Sequence, residues 1–81
     1  MKRTMASGEA IEVNEDLAAF AIQLATAMDE LSVSRKALAY DLGVHINTIN
    51  NWLHAKTDPG IINLIKISNS FNVSVEWLLG F

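Results

Sequence analysis

Residues 35–52 read RKALAYDLGVHINTINNW, and the spacing within this stretch decides the fold. Counting Arg35 as the first position, apolar residues stand at the fourth, eighth, tenth, fifteenth and eighteenth: Leu38, Leu42, Val44, Ile49 and Trp52. Ala39 stands at the fifth and Gly43 at the ninth. Two helices crossing steeply over a turn of three or four residues need apolar residues on their facing stripes. They also need a small residue where the axes approach and a glycine where the chain reverses. Ala39 and Gly43 meet the last two needs. Ser34 is placed to cap the first of the two helices, and Gly43 supplies the left-handed residue that ends it. The second helix, expected over about 45–55, has only Ile46, Ile49, Trp52 and Leu53 to pack with. Its outer face is left with His45, Asn47, Thr48, Asn50, Asn51 and His54, which are hydrogen-bonding and mostly uncharged. A helix is the element that enters the major groove of B-form DNA, and Asn is the side chain that pairs bidentately with adenine there.

Outward from this unit the chain reads as helix on both sides. Asn14 is a good N-cap, Glu15 and Asp16 put negative charge on a first turn, and Leu17, Ala21, Leu24, Met28 and Leu31 recur at helical spacing, which predicts a helix over 15–30. Residues 1–13 lack any sustained period and read as an N-terminal arm, so the domain is expected over 14–81. After the central unit, Asp58, Pro59 and Gly60 form a turn. Ile61, Leu64, Ile65, Ile67, Ser68 and Phe71 then give a fourth helix that Asn72 can end. The β-branched run over 61–67 would suit a strand, but a lone strand has nothing to pair with, whereas a helix there closes a bundle over the second and third helices. Ser74 caps a last turn carrying Val75, Trp77, Leu78 and Leu79. No repeat and no low-complexity tract is present.

Length and composition narrow the function classes. Eighty-one residues make one domain, since a second core needs roughly 50 residues more than this chain can spare. The 51% hydrophobic and 19% charged content is that of a globular chain. There is no cysteine, hence no disulfide framework and no thiolate metal site. With no cleavable leader and no apolar stretch near the roughly 18 residues that span a bilayer, the expected location is the cytoplasm of a bacterium or of a phage-infected one. Six Lys and Arg against nine Asp and Glu give a net charge of −3, where a nucleic-acid binder is normally basic. The distribution is more informative than the sum. Between residues 33 and 57, Arg35, Lys36 and Lys56 face Asp41 alone, a local balance of 3 − 1 = +2.

Residues 31–79, LSVSRKALAYDLGVHINTINNWLHAKTDPGIINLIKISNSFNVSVEWLL, resemble the lambda-repressor-like helix-turn-helix family of phage repressors and bacterial regulators. The likeness takes in the paired helices, the following proline turn and the closing VSVEWLL without a gap. It implies an all-α, compact five-helix DNA-binding domain with the helix-turn-helix at helices 2 and 3. It further implies a homodimer on a nearly palindromic double-stranded DNA operator and repression of transcription, often of the lysis-lysogeny decision. By position, Arg35 stands where the family usually has a Gln that touches backbone phosphate, and Lys36 is the cation beside it. His45, Ile46 and Asn47 stand at the N-terminal base-reading positions, with Ile46 suited to a thymine methyl, and Asn51 stands one turn further on. Thr48, Asn50 and Lys56 stand at positions that contact phosphate. Three residues depart from the family pattern: Leu53 and Ala55 replace the usual Glu and Gly after the recognition helix, and His45 replaces the usual Ser cap. That helix end is therefore expected to be built differently. The few Lys and Arg imply few phosphate contacts and a shallow salt dependence.

Other chemistries are poorly served. His45 and His54 lack a third ligand of suitable type, so no metal is expected, and Ser34 is spent as a cap without a base and a third group behind it, so no enzyme is expected. Phe20, Met28, Trp52, Phe71 and Trp77 read as core and imply no cofactor. Trp77, Leu78, Leu79 and Phe81 are apolar enough that part of the group must pack on the first helix or meet another subunit. Two rivals remain. One is a protein-interaction module built on the same bundle, which the −3 charge allows. The other is an antitoxin-type regulator whose partner is a toxin. In the repressor reading the corresponding protein partner is an anti-repressor.

Overall fold

The computed structural model describes residues 15–81. Among them the chain forms five helices and no strand: α1 (Glu15–Glu30), α2 (Arg35–Leu42), α3 (Ile46–Leu53), α4 (Gly60–Phe71) and α5 (Val75–Leu78). The expected arm over 1–13 and the expected cap Asn14 lie outside the described residues.

Helix starts follow the side chains that the sequence offers. Ser34 Oγ accepts from the Ala37 N–H at 3.0 Å and Ser74 Oγ from the Trp77 N–H at 2.9 Å, each satisfying a donor that the first turn leaves free. Before α4, Asp58 Oδ1 accepts from the Gly60 N–H at 2.8 Å, folding the Asp-Pro-Gly turn onto itself.

The helix ends share one build. A residue in the left-handed conformation follows each helix: Ser32, Gly43, Ala55, Asn72 and Gly80. The next N–H then returns to the carbonyl five residues earlier, as Val33 to Met28 at 2.9 Å, Val44 to Ala39 at 3.0 Å, Lys56 to Asn51 at 2.8 Å, Val73 to Ser68 at 3.1 Å and Phe81 to Glu76 at 3.0 Å. Three of these ends run straight into the next start. Val33, Val44 and Val73 are half-buried against the core, and Ser34, His45 and Ser74 behind them are the caps of α2, α3 and α5. A left-handed residue, a valine and a cap therefore suffice to turn the chain, so each of these three connections takes only a few residues.

The core gathers Phe20, Leu24, Ala27 and Met28 of α1, Leu38, Ala39 and Leu42 of α2, Ile49 and Trp52 of α3, Leu64, Ile67 and Phe71 of α4, and Leu78 of α5. Phe20 meets Trp52 edge to face with ring centroids 6.2 Å apart, joining α1 to α3. Burial of each such large side chain contributes about 1.5–3 kcal/mol.

Two expectations need correction. Leu31 follows the α1 spacing but lies in the turn after Glu30, where it is exposed, because Ser32 takes the left-handed conformation that ends α1. The third helix is shorter than 45–55: His45 is its cap, and it stops at Leu53 because His54 and Ala55 close it. α4 packs chiefly on α2 and α5, while α1 and α2 close most of the inner face of α3.

Candidate nucleic-acid interface

The packing of α3 dictates what it presents. Ile49 and Trp52 are fully buried, and Asn47, Asn51 and His54, at spacing i, i+4 and i+7, run along the opposite side. Asn47 and His54 are exposed and Asn51 is half-buried. Ile46 stands on the flank of this stripe, exposed, with its edge against the core side. Thr48 and Asn50 are half-buried, one on each side.

At the start of α3, His45 Nδ1 accepts from the Asn47 N–H at 3.0 Å, so the imidazole takes the place of the usual serine hydroxyl. At its end, His54 Nδ1 lies 2.8 Å from the Asn50 carbonyl oxygen, which already receives the His54 N–H. His54 was visible in the sequence only as a polar residue. Its role in closing the helix follows from its placement four residues after Asn50.

Arg35, the first residue of α2, donates from Nη1 to Asn50 Oδ1 at 3.0 Å. This bond ties the start of α2 to the middle of α3 and holds a guanidinium beside the polar stripe, and its other N–H donors meet no hydrogen-bond partner among the described residues. Nothing in local spacing announces it, since the partners are fifteen residues apart. Lys36 is not part of this group. It lies roughly 100° further around α2 and lines a surface groove with Tyr40, Asp41 and Ser70. In that groove Ser70 Oγ donates to Asp41 Oδ2 at 2.9 Å, tying α4 to α2. Lys56 follows α3 with an exposed side chain, and its backbone N–H is the one that closes the helix on Asn51. The structure thus brings Arg35, Asn50, Asn47, Asn51 and His45 onto one side, with Ile46 and Thr48 at its margins. The unit has uncharged donors and acceptors at its centre and a cation at its edge, which suits base edges flanked by phosphates.

Among the described residues no group of three or more His, Cys, Asp or Glu is placed to hold a metal ion. No described helix is long and apolar enough to cross a membrane.

Residues 24–78 match the family model for the helix-turn-helix. The chain is 33% identical over 58 residues to the HTH-type transcriptional regulator ImmR of Bacillus subtilis, covering 72% of this chain and 46% of that protein. It is 44% identical over 36 residues to an uncharacterized HTH-type transcriptional regulator of Haemophilus influenzae, covering 44% of this chain and 15% of that protein. The chain thus spans less than half the length of these relatives. In fold it is similar to the restriction-modification controller protein C.AhdI of Aeromonas hydrophila. That likeness has a TM-score of 0.74 at 17% identity over 80% of this chain and 98% of the controller.

Proposed function

The chain belongs to the helix-turn-helix family of DNA-binding transcriptional regulators, and on that premise we propose that it is a sequence-specific repressor of the phage type acting in the bacterial cytoplasm. The observation that carries this reading is the face of α3, where Asn47 and Asn51 stand clear of the core while Arg35 is held beside them through Asn50. His45, Ile46, Asn47 and Asn51 read base edges. Arg35, Lys36, Thr48, Asn50 and Lys56 engage the phosphates on either side. Two copies lay their α3 helices in successive major grooves, roughly 34 Å apart, on a nearly palindromic operator. Repression is steric, because a dimer on an operator that overlaps a promoter excludes polymerase.

Selection from a random duplex pool at low salt, with sequencing of the retained DNA, tests the reading. Enrichment of an inverted repeat with half-sites about one turn apart is the expected result. Enrichment of single half-sites would leave base reading intact and remove the dimer. Retention of nothing by folded protein would overturn the repressor reading in favour of a protein-interaction module.

A further inference from the structure

The two histidines that flank α3 meet opposite backbone groups through Nδ1. His45 Nδ1 faces the Asn47 N–H at 3.0 Å. A backbone N–H only donates, so Nδ1 carries a lone pair and the ring proton sits on Nε2. With the ring turned over, a carbon would stand against the Asn47 N–H and leave that donor without its cap. His54 is the reverse case. Its Nδ1 faces the Asn50 carbonyl at 2.8 Å, and a carbonyl only accepts, so Nδ1 carries the proton and Nε2 of the neutral ring is left as an acceptor. The polarity of the backbone imposes this difference, because a helix begins with free N–H groups and ends with free carbonyls.

For His45 the consequence bears on specificity. Its ring is exposed and its Nδ1 is committed to the cap, so the one polar atom it can offer a ligand is Nε2–H. A serine in that place has no comparable reach once its oxygen accepts from the helix. We propose that His45 is a donor-only reader, selecting a hydrogen-bond acceptor on the DNA. That acceptor is a purine N7 or guanine O6 on a base edge, or an oxygen of the adjacent phosphate. The inference rests on the DNA-binding reading of α3, and it adds the polarity of the group that this position recognises.

Its test has two arms. In the free protein, long-range proton–nitrogen correlation of the histidine rings, at a pH high enough that both are neutral, reports which nitrogen is protonated. The expected result is an unprotonated Nδ1 in His45 and a protonated Nδ1 in His54. A proton on His45 Nδ1 overturns the proposal without touching DNA binding. In the second arm the pool selection is repeated with His45→Ser, which keeps a capping oxygen and removes the ring. Loss of one hydrogen bond lowers affinity for the wild-type site about two- to tenfold. If His45→Ser loses helix content, His45→Asn, which caps through Oδ1, takes its place. A 7-deazapurine in the selected site that weakens the wild type by the same factor, and the variant not at all, identifies a base edge as the acceptor. A methylphosphonate with that effect identifies the phosphate. A variant that retains the wild-type profile and affinity overturns this inference alone, whereas wild-type protein that retains no DNA overturns it together with the repressor reading.

Discussion

Arg35 and Asn50 show how two side chains with separate expected contacts become one device. Each stands where phosphate contact is expected, yet in the free protein the guanidinium spends one donor on the Asn50 carboxamide. That bond fixes the direction of the remaining donors, a preorganisation that lowers the ordering cost of binding. Replacing Arg35 with Ala is expected to weaken binding to all sequences alike and to reduce the salt slope by about 1 per protomer, as filter binding across a salt series would show. Asn51→Ala should behave differently. It removes a group proposed to read a base, so the pool selection should relax at one base pair per half-site, at a cost of about 1–3 kcal/mol for the preferred base. A uniform loss across all sequences would contradict base reading by Asn51.

At the scale of the element, the end of α3 is the informative place. Ala55 has φ 56°, in the left-handed region where a Cβ crowds the following carbonyl, and it occupies the position where a glycine usually closes such a helix. Ala55→Gly is expected to stabilise the fold by about 1 kcal/mol, raising the thermal midpoint by roughly 4–8 °C for a domain of this size. A lowered midpoint would mean that Ala55 makes a compensating contact. The inner face of α3 is less tolerant. Trp52 is 2% exposed and stacks edge-on with Phe20, so Trp52→Ala should cost about 3–5 kcal/mol. A domain of this length has little more than that in total, so the variant should lose its cooperative transition in circular dichroism melts.

At the scale of the whole molecule, the charge and an uncovered surface point to association. Arg35 and Lys56 stand at the proposed interface and Lys36 on the neighbouring face of α2, so even with all three engaged a dimer neutralises at most six phosphates and its salt slope should be no steeper than about −5. A much steeper slope would show that other cations take part. One protomer alone is correspondingly weak. Ile61, Ile62 and Ile65 lie on one flank of α4 at 62, 64 and 44% exposure, an apolar surface edged by Lys66 that a second copy can meet with its own. Ile62→Glu should therefore leave the melting curve nearly unchanged, shift sedimentation to the monomer and weaken operator binding at least about tenfold. Unaltered sedimentation with unaltered binding would place the dimer contact elsewhere.

Local chemistry was enough to read where most of the helices begin and end, α3 excepted. Ser34, Gly43, Asn72 and Ser74 act within a turn of their own positions, so their roles were legible as residue types, and the spacing of Leu38, Ala39, Leu42, Ile49 and Trp52 separated the buried face of the central unit from its polar one. The polar side of α3 followed from the same period. Contacts between residues far apart in sequence were beyond that reach. The Arg35–Asn50 bond, the packing of α4 chiefly on α2 and α5, and the exposure of Leu31 depend on where whole helices come to rest. The backbone group that each histidine Nδ1 meets was beyond that reach too, for composition is silent on which end of the helix that group belongs to. Helix limits are set by interactions within a few residues, whereas the orientation of a side chain in the interface is set by packing over the whole core.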